Sequence, residues 1–171
     1  MIGLRKIQEQ LSVSDVEYAV AALRTNQLKE YREGRQAALF CYGMSQLYET
    51  KVYFALVELE DFDFIARFVK DDIDHFVPVQ LKELTPDFLP KPRTLQDELD
   101  KLRKYSRDLM IAFHLNRDFN FNLSDLSIPD NVSSLWFFGA IDKQQTKWGM
   151  TGNLASNNYI SFEFEYPSTI R

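Results

Sequence analysis

The chain has 171 residues, 45% of them hydrophobic and 14% aromatic, enough apolar material for one domain with a real core, which excludes a disordered tail or a disulfide-stapled miniprotein. Its formal charge of −5 argues against an overall basic surface that coats nucleic acid non-specifically, while leaving room for a local basic cleft. A single cysteine, Cys41, cannot form an internal disulfide, and its apolar surroundings (Ala37 to Tyr42) predict a buried thiol.

The stretch from Met1 to Glu9 lacks a signal-like apolar run, and no segment approaches the ~20 apolar residues of a membrane helix, so a soluble cytoplasmic protein is expected. Ser14 and Glu17 read as a capping box opening a first helix from about Asp15 to Tyr31, within an N-terminal helical region at 14–32. Gly34 interrupts the pattern. Beyond it, Ala37, Phe40, Met44 and Leu47 mark a second helix ending between Tyr48 and Thr50.

The period then shortens to two. Val52, Phe54 and Leu56, then Phe62, Phe64, Ala66 and Phe68, alternate as strands do, and Phe76 to Lys82 resumes the pattern after an acidic turn near Asp72. Pro86, Pro90 and Pro92 forbid regular structure, after which Thr94 caps a helix with Leu95, Leu99 and Leu102 on one face; Asp97 with Lys101 and Asp100 with Lys104 support it from outside. Asp108 to Leu115 reads as a strand buried on both faces, so the helix before it is a crossover. Ser134 to Ile141 is a further strand, and Ile160, Phe162, Phe164 and Tyr166 form a half-exposed one, giving C-terminal strands over 134–166. Lys143 to Asn158, rich in Gln, Asn, Thr, Ser and Gly, reads as a long loop. The expectation is one α/β or α+β domain with a mixed sheet.

Phosphate-cradling glycine loops, paired cysteines and a nucleophile elbow are all missing from the sequence. What remains is Asp63, between two phenylalanines, and Gln80 with Lys82 on the next strand. Side chains two apart on a strand share a face, so Gln80 and Lys82 point one way, Val79 and Leu81 the other, and a carboxylate on the adjoining strand can meet the first pair. Oxygens from Asp63, the Gln80 side chain and the Leu81 backbone carbonyl suit a hard divalent cation, and Lys82 suits the charge of a phosphodiester under attack by water.

Phe62-Asp63-Phe64-Ile65-Ala66-Arg67 and Pro78-Val79-Gln80-Leu81-Lys82, with the helices around them, resemble the PD-(D/E)XK nuclease superfamily in its Q-x-K variant, as in Mrr-type restriction enzymes. The resemblance covers about residues 33–115 and implies a restriction-endonuclease-like αβββαβ core. It further implies a Mg²⁺- or Mn²⁺-dependent deoxyribonuclease with Asp63, Gln80 and Lys82 as catalytic residues and Asp63, Gln80 and the Leu81 carbonyl as metal ligands. Many family members carry one more acid on the preceding helix; here Glu33 is the candidate, and Gln36 stands where an acid would be equally plausible. With glutamine in place of glutamate, metal binding is expected to be weaker than at a two-carboxylate site.

Two other readings stay open. One is a nuclease-fold protein without catalysis that binds a protein partner in an immunity or regulatory role; the other is an unrelated α+β domain in which Gln80 and Lys82 are surface residues. DNA or a protein is the expected partner, with a dimer possible and no membrane. Asp71, Asp72, Asp74 and His75 read as turn formers, His114 as a core histidine and Glu83 as solvent-facing. Lys91, Arg93, Lys101, Arg103, Lys104 and Arg107 read as a solvated helix face rather than a phosphate rim, and Trp136 and Trp148 as core or interface.

Overall fold

The computed structural model describes residues 2–12, 15, 17–57, 61–89, 93–106, 108–117, 122–156 and 158–167. Ser14, Val16, Pro90, Lys91, Pro92 and Arg107, which figure in the expectations above, lie outside them.

The chain forms a mixed α+β fold around a seven-stranded sheet. Helices α1 (Ile2–Ser12), α2 (Tyr18–Ala21) and α3 (Lys29–Leu47) come first, then strands β1 (Tyr53–Leu56), β2 (Phe64–Lys70) and β3 (Ile73–Leu84). Helix α4 (Leu95–Asp100) leads through a 3-10 turn to β4 (Met110–Leu115), followed by β5 (Ser134–Ala140), β6 (Lys147–Gly152) and β7 (Ile160–Glu165). The strands lie side by side in chain order. The β3–β4 and β4–β5 pairs are parallel and the other four antiparallel. Residues 95–104 thus sit in a crossover, as the buried character of β4 requires.

Alternation along the strands builds a core on each side of the sheet. Phe64, Val79, Leu81, Trp136 and Phe138 meet Leu39, Phe40 and Met44 of α3, while Ile111, Phe113, Leu135 and Phe137 meet Leu95, Leu99 and Leu102. Cys41 is buried and unpaired, and burial pushes its thiol up to about 12. Trp136 and Trp148 are both core residues.

Four expectations are corrected. No continuous helix spans 15–31: α2 stops at Ala21, and Leu23, buried with φ at 55°, turns the chain before α3 begins. Gly34 does not divide two helices, because α3 runs through it with Leu56 Cδ1 at 3.5 Å from where a Cβ would stand. The expected loop at 143–158 contains β6, whose Trp148, Met150 and Gly152 face inward. On α4, Thr94 and Asp97 do form a reciprocal capping box, but the ion pairs are Glu98–Lys101 and Asp100–Arg103. Past Asp100 the helix tightens to three residues per turn, which brings i and i+3 into line.

Candidate active site

The β2–β3 ladder ends at Phe64 and Val79, while β3 continues to Leu84. The Leu81 N–H therefore emerges beyond the last β2 residue, and a buried donor left there would be costly. Asp63 supplies the acceptor: its Oδ2 takes the Leu81 N–H at 2.7 Å. The Asp63 backbone is itself pinned, donating to Val79 O at 3.0 Å and accepting from Val57 N at 3.1 Å.

Gln80, 6% exposed, closes the arrangement. Its Nε2 donates to Asp63 Oδ2 and to the Leu81 carbonyl at 3.1 Å. A carboxylate, a carboxamide and a backbone carbonyl thus converge on one point. Burial raises the pKa of Asp63, opposed by the Leu81 N–H and then by the charges of Lys82 and Lys29.

Lys82 lies two residues beyond Gln80 on the same face, with Nζ 4.8 Å from the centre of the Tyr105 ring; Lys104 Nζ is 5.0 Å from that ring. Its charge also reaches Glu98, which receives Arg93 at 3.1 Å and Lys101 at 2.5 Å. Val79 and Leu81 face the α3 core, as their spacing implies.

On α3, Glu33 pairs with Lys29 at 3.4 Å, and its pKa is raised by burial and then by the charge of Asp63. Asp63, Gln80, Leu81 and Lys82 are therefore neighbours, and Glu33 lies within reach of the Asp63 charge. Gln36 is not among them: its amide lies 3.2 Å from His114 Nδ1, and both side chains are buried. Sequence reasoning missed Lys29 and Tyr105. Lys29 had a local signal in its i,i+4 relation to Glu33, whereas Tyr105 meets Lys82 only through the crossover.

Glu83 is corrected. It does face away from Gln80, but that side is covered, and Arg24 Nη2 and Asn116 Nδ2 donate to its Oε1 at 2.6 and 2.7 Å. His114 is a core histidine: burial brings its pKa down to about 4, so it is neutral at physiological pH. At the hairpin tip, Asp71 and Asp72 take the left-handed φ values of the turn, Asp74 pairs with Arg67 at 2.7 Å and His75 stacks on Phe68. Arg93, Lys101 and Arg103 are held by acids of α4.

Among the described residues no group of three or more His, Cys, Asp or Glu side chains is arranged to hold a metal. The donor set at Asp63 is of another kind. The nitrogen and oxygen of a glutamine amide exchange places by a half-turn of the terminal torsion. Turned so, Gln80 adds its oxygen to those of Asp63 and Leu81, an all-oxygen set that fits Mg²⁺ or Mn²⁺. No protein-family model, no curated protein and no solved structure matches the chain.

Proposed function

We propose that the protein is a metal-dependent nuclease that hydrolyses phosphodiester bonds of DNA, with the restriction-endonuclease-like core that its motifs resemble. The observation that carries this reading is the convergence of Asp63 Oδ2, the Gln80 amide and the Leu81 carbonyl beside Lys82 on one face of β3. The order α3, β1, β2, β3, α4, β4 around them supports it.

In this reading Asp63, Gln80 and the Leu81 carbonyl hold Mg²⁺ or Mn²⁺, which when bound lowers the pKa of water and offsets charge on the phosphodiester. Lys82 donates to a phosphate oxygen and stabilises the charge that builds there as the bond to the leaving oxygen breaks. The Tyr105 ring steadies the ammonium at 4.8 Å. Burial raises the pKa of Asp63, so cation binding, which needs the ionised carboxylate, is expected to weaken as pH is lowered.

Supercoiled plasmid incubated with Mg²⁺ or Mn²⁺ tests this. Wild-type protein is expected to nick it, and Asp63→Ala and Lys82→Ala each to cut nicking by about a hundredfold or more. Nicking that survives both substitutions, or its complete absence in the wild type, overturns the reading.

A second reading has its own observation. With its nitrogen toward them, Gln80 donates to both Asp63 Oδ2 and the Leu81 carbonyl, an arrangement suited to a nuclease-fold protein that has given up catalysis for binding a protein partner. Folded protein that neither nicks DNA nor gives heat with Mg²⁺ or Mn²⁺ in calorimetry would favour it.

A further inference from the structure

Among the described residues, strands β1, β2 and β3 pack against α3 on one side of the sheet. On the opposite side, Tyr53, Arg67 and Phe76 stand in a single cross-strand row: Tyr53 pairs with Arg67, and Arg67 with Phe76. They are open to solvent, with Tyr53 54% and Phe76 63% exposed and the Arg67 side chain 42%. Two aromatic rings flanking an arginine at an exposed part of the sheet are costly to leave in water, and the row shares a face of β3 with the candidate site. Phe76, Pro78, Gln80 and Lys82 alternate along the same face of β3, so the row lies about 20 Å from Lys82 along the strand.

Resting on the nuclease reading of the site, we propose that this face binds single-stranded DNA, whose unpaired bases stack on Tyr53 and Phe76 while its backbone runs along β3 to Lys82. Rings that stand up from a sheet offer π-faces to bases, and only unpaired bases have faces free to meet them. This face carries Arg67 at one end and Lys82 with Lys104 on the Tyr105 ring at the other, cations that a phosphate chain laid between them would meet in competition with Asp74 beside Arg67 and with Asp63 and Glu98 near Lys82. Asp74 holds the Arg67 guanidinium at 2.7 Å beside Tyr53, whose ring centre is 6.0 Å from it. An exposed pair of that kind opens at little cost when a phosphate competes.

Fluorescence anisotropy in EDTA, where no cutting occurs, tests this with a labelled oligothymidylate and with its duplex with oligoadenylate. The single strand is expected to bind about tenfold or more tightly than the duplex, and Tyr53→Ala and Phe76→Ala each to weaken it about tenfold. Phe76→Leu, which keeps apolar bulk without a ring, is expected to behave like the alanine variant, and Phe76→Tyr like the wild type. Because both rings are exposed, all four variants are expected to unfold at the wild-type temperature. Equal affinity for single strand and duplex, or ring variants that bind as the wild type does, overturns the proposal. So does a concentration-dependent dimer that the ring variants dissolve with no change in DNA binding. Plasmid nicking without single-strand preference overturns this proposal alone, whereas ring-dependent single-strand binding without nicking overturns the nuclease reading and sustains this one.

Discussion

Arg24 donates to Glu83 at 2.6 Å beneath the sheet, with their side chains 12% and 13% exposed, one residue along β3 from the half-buried Lys82 on the opposite face. The pair fastens the segment between α2 and α3 to the strand that carries the candidate site. Burial raises the Glu83 pKa, but His114, Asn116 and Arg24 together outweigh it and hold the carboxyl below its ordinary value.

Removing one partner leaves the other charge buried and unpaired. Glu83→Ala is expected to lower unfolding free energy by about 3 kcal/mol, read from urea denaturation. Arg24→Ala with Glu83→Ala together are expected to cost less than the two single losses summed. A strictly additive double variant would show that the pair is not coupled.

His114 makes stability depend on pH. Unfolded, the imidazole takes a proton near 6.5, whereas in the fold burial holds its pKa at about 4. The unfolded chain therefore binds the extra proton first as pH falls. The contribution is complete above 6.5 and is lost between there and 4, about 3 kcal/mol in all. Glu83 adds to the loss further down, since its depressed pKa means it gives up its contribution as pH falls below the ordinary carboxylate range. Urea midpoints from pH 7 to 4 are expected to fall in the wild type and to flatten between 6.5 and 4 in His114→Gln; equal slopes would contradict this.

Two glycines of α3 are expected to respond in opposite directions to alanine. At Gly34 a Cβ meets only Leu56 Cδ1 at 3.5 Å, an ordinary contact, so Gly34→Ala is expected to stabilise by about 0.5–1 kcal/mol through helix propensity. At Gly43 it would stand 2.7 Å from Met150 Cε and 2.9 Å from Phe164 Cε1, so Gly43→Ala is expected to cost about 1–3 kcal/mol despite the same propensity gain. Thermal unfolding of both variants decides the signs.

Gln80→Glu would set a second carboxylate beside Asp63. Calorimetry is expected to show Mn²⁺ bound about tenfold more tightly than by the wild type at neutral pH. The advantage is expected to shrink as pH is lowered, because two acids at one partly buried point hold a proton more readily than one. Unchanged or weaker affinity at neutral pH would remove the Gln80 side chain from the ligand set.

What was legible in the sequence was what repeats locally. The β2–β3 hairpin showed because Phe64, Ala66 and Phe68 alternate against one helix, and α4 showed through its cap and its leucine stripe. Strand β6 was hidden because Gly149, Thr151 and Gly152 dilute its Trp148–Met150 alternation with residues typical of loops. The break at Leu23 left no trace either, since a large apolar residue is the last expected at a positive φ. At the site, the spacing of Gln80 and Lys82 told which way each points. It did not tell that Glu83 would find Arg24, 59 residues away, on a covered side. Nor did it place Tyr105 under the Lys82 ammonium.

The strand order bears on how the molecule is made. Each strand pairs only with its neighbours in the chain, so during synthesis none needs to wait for a segment far downstream before its first partner appears. Helix α3 is the exception. It precedes every described strand, yet Tyr42 packs its ring 5.7 Å from Phe164 of β7, the last of those strands in chain order. The flank of α3 at Tyr42 and Gly43, unlike its face toward β2 and β3, is thus covered only once β7 has formed, and a product ending before Ile160 would present that apolar flank to whatever it met.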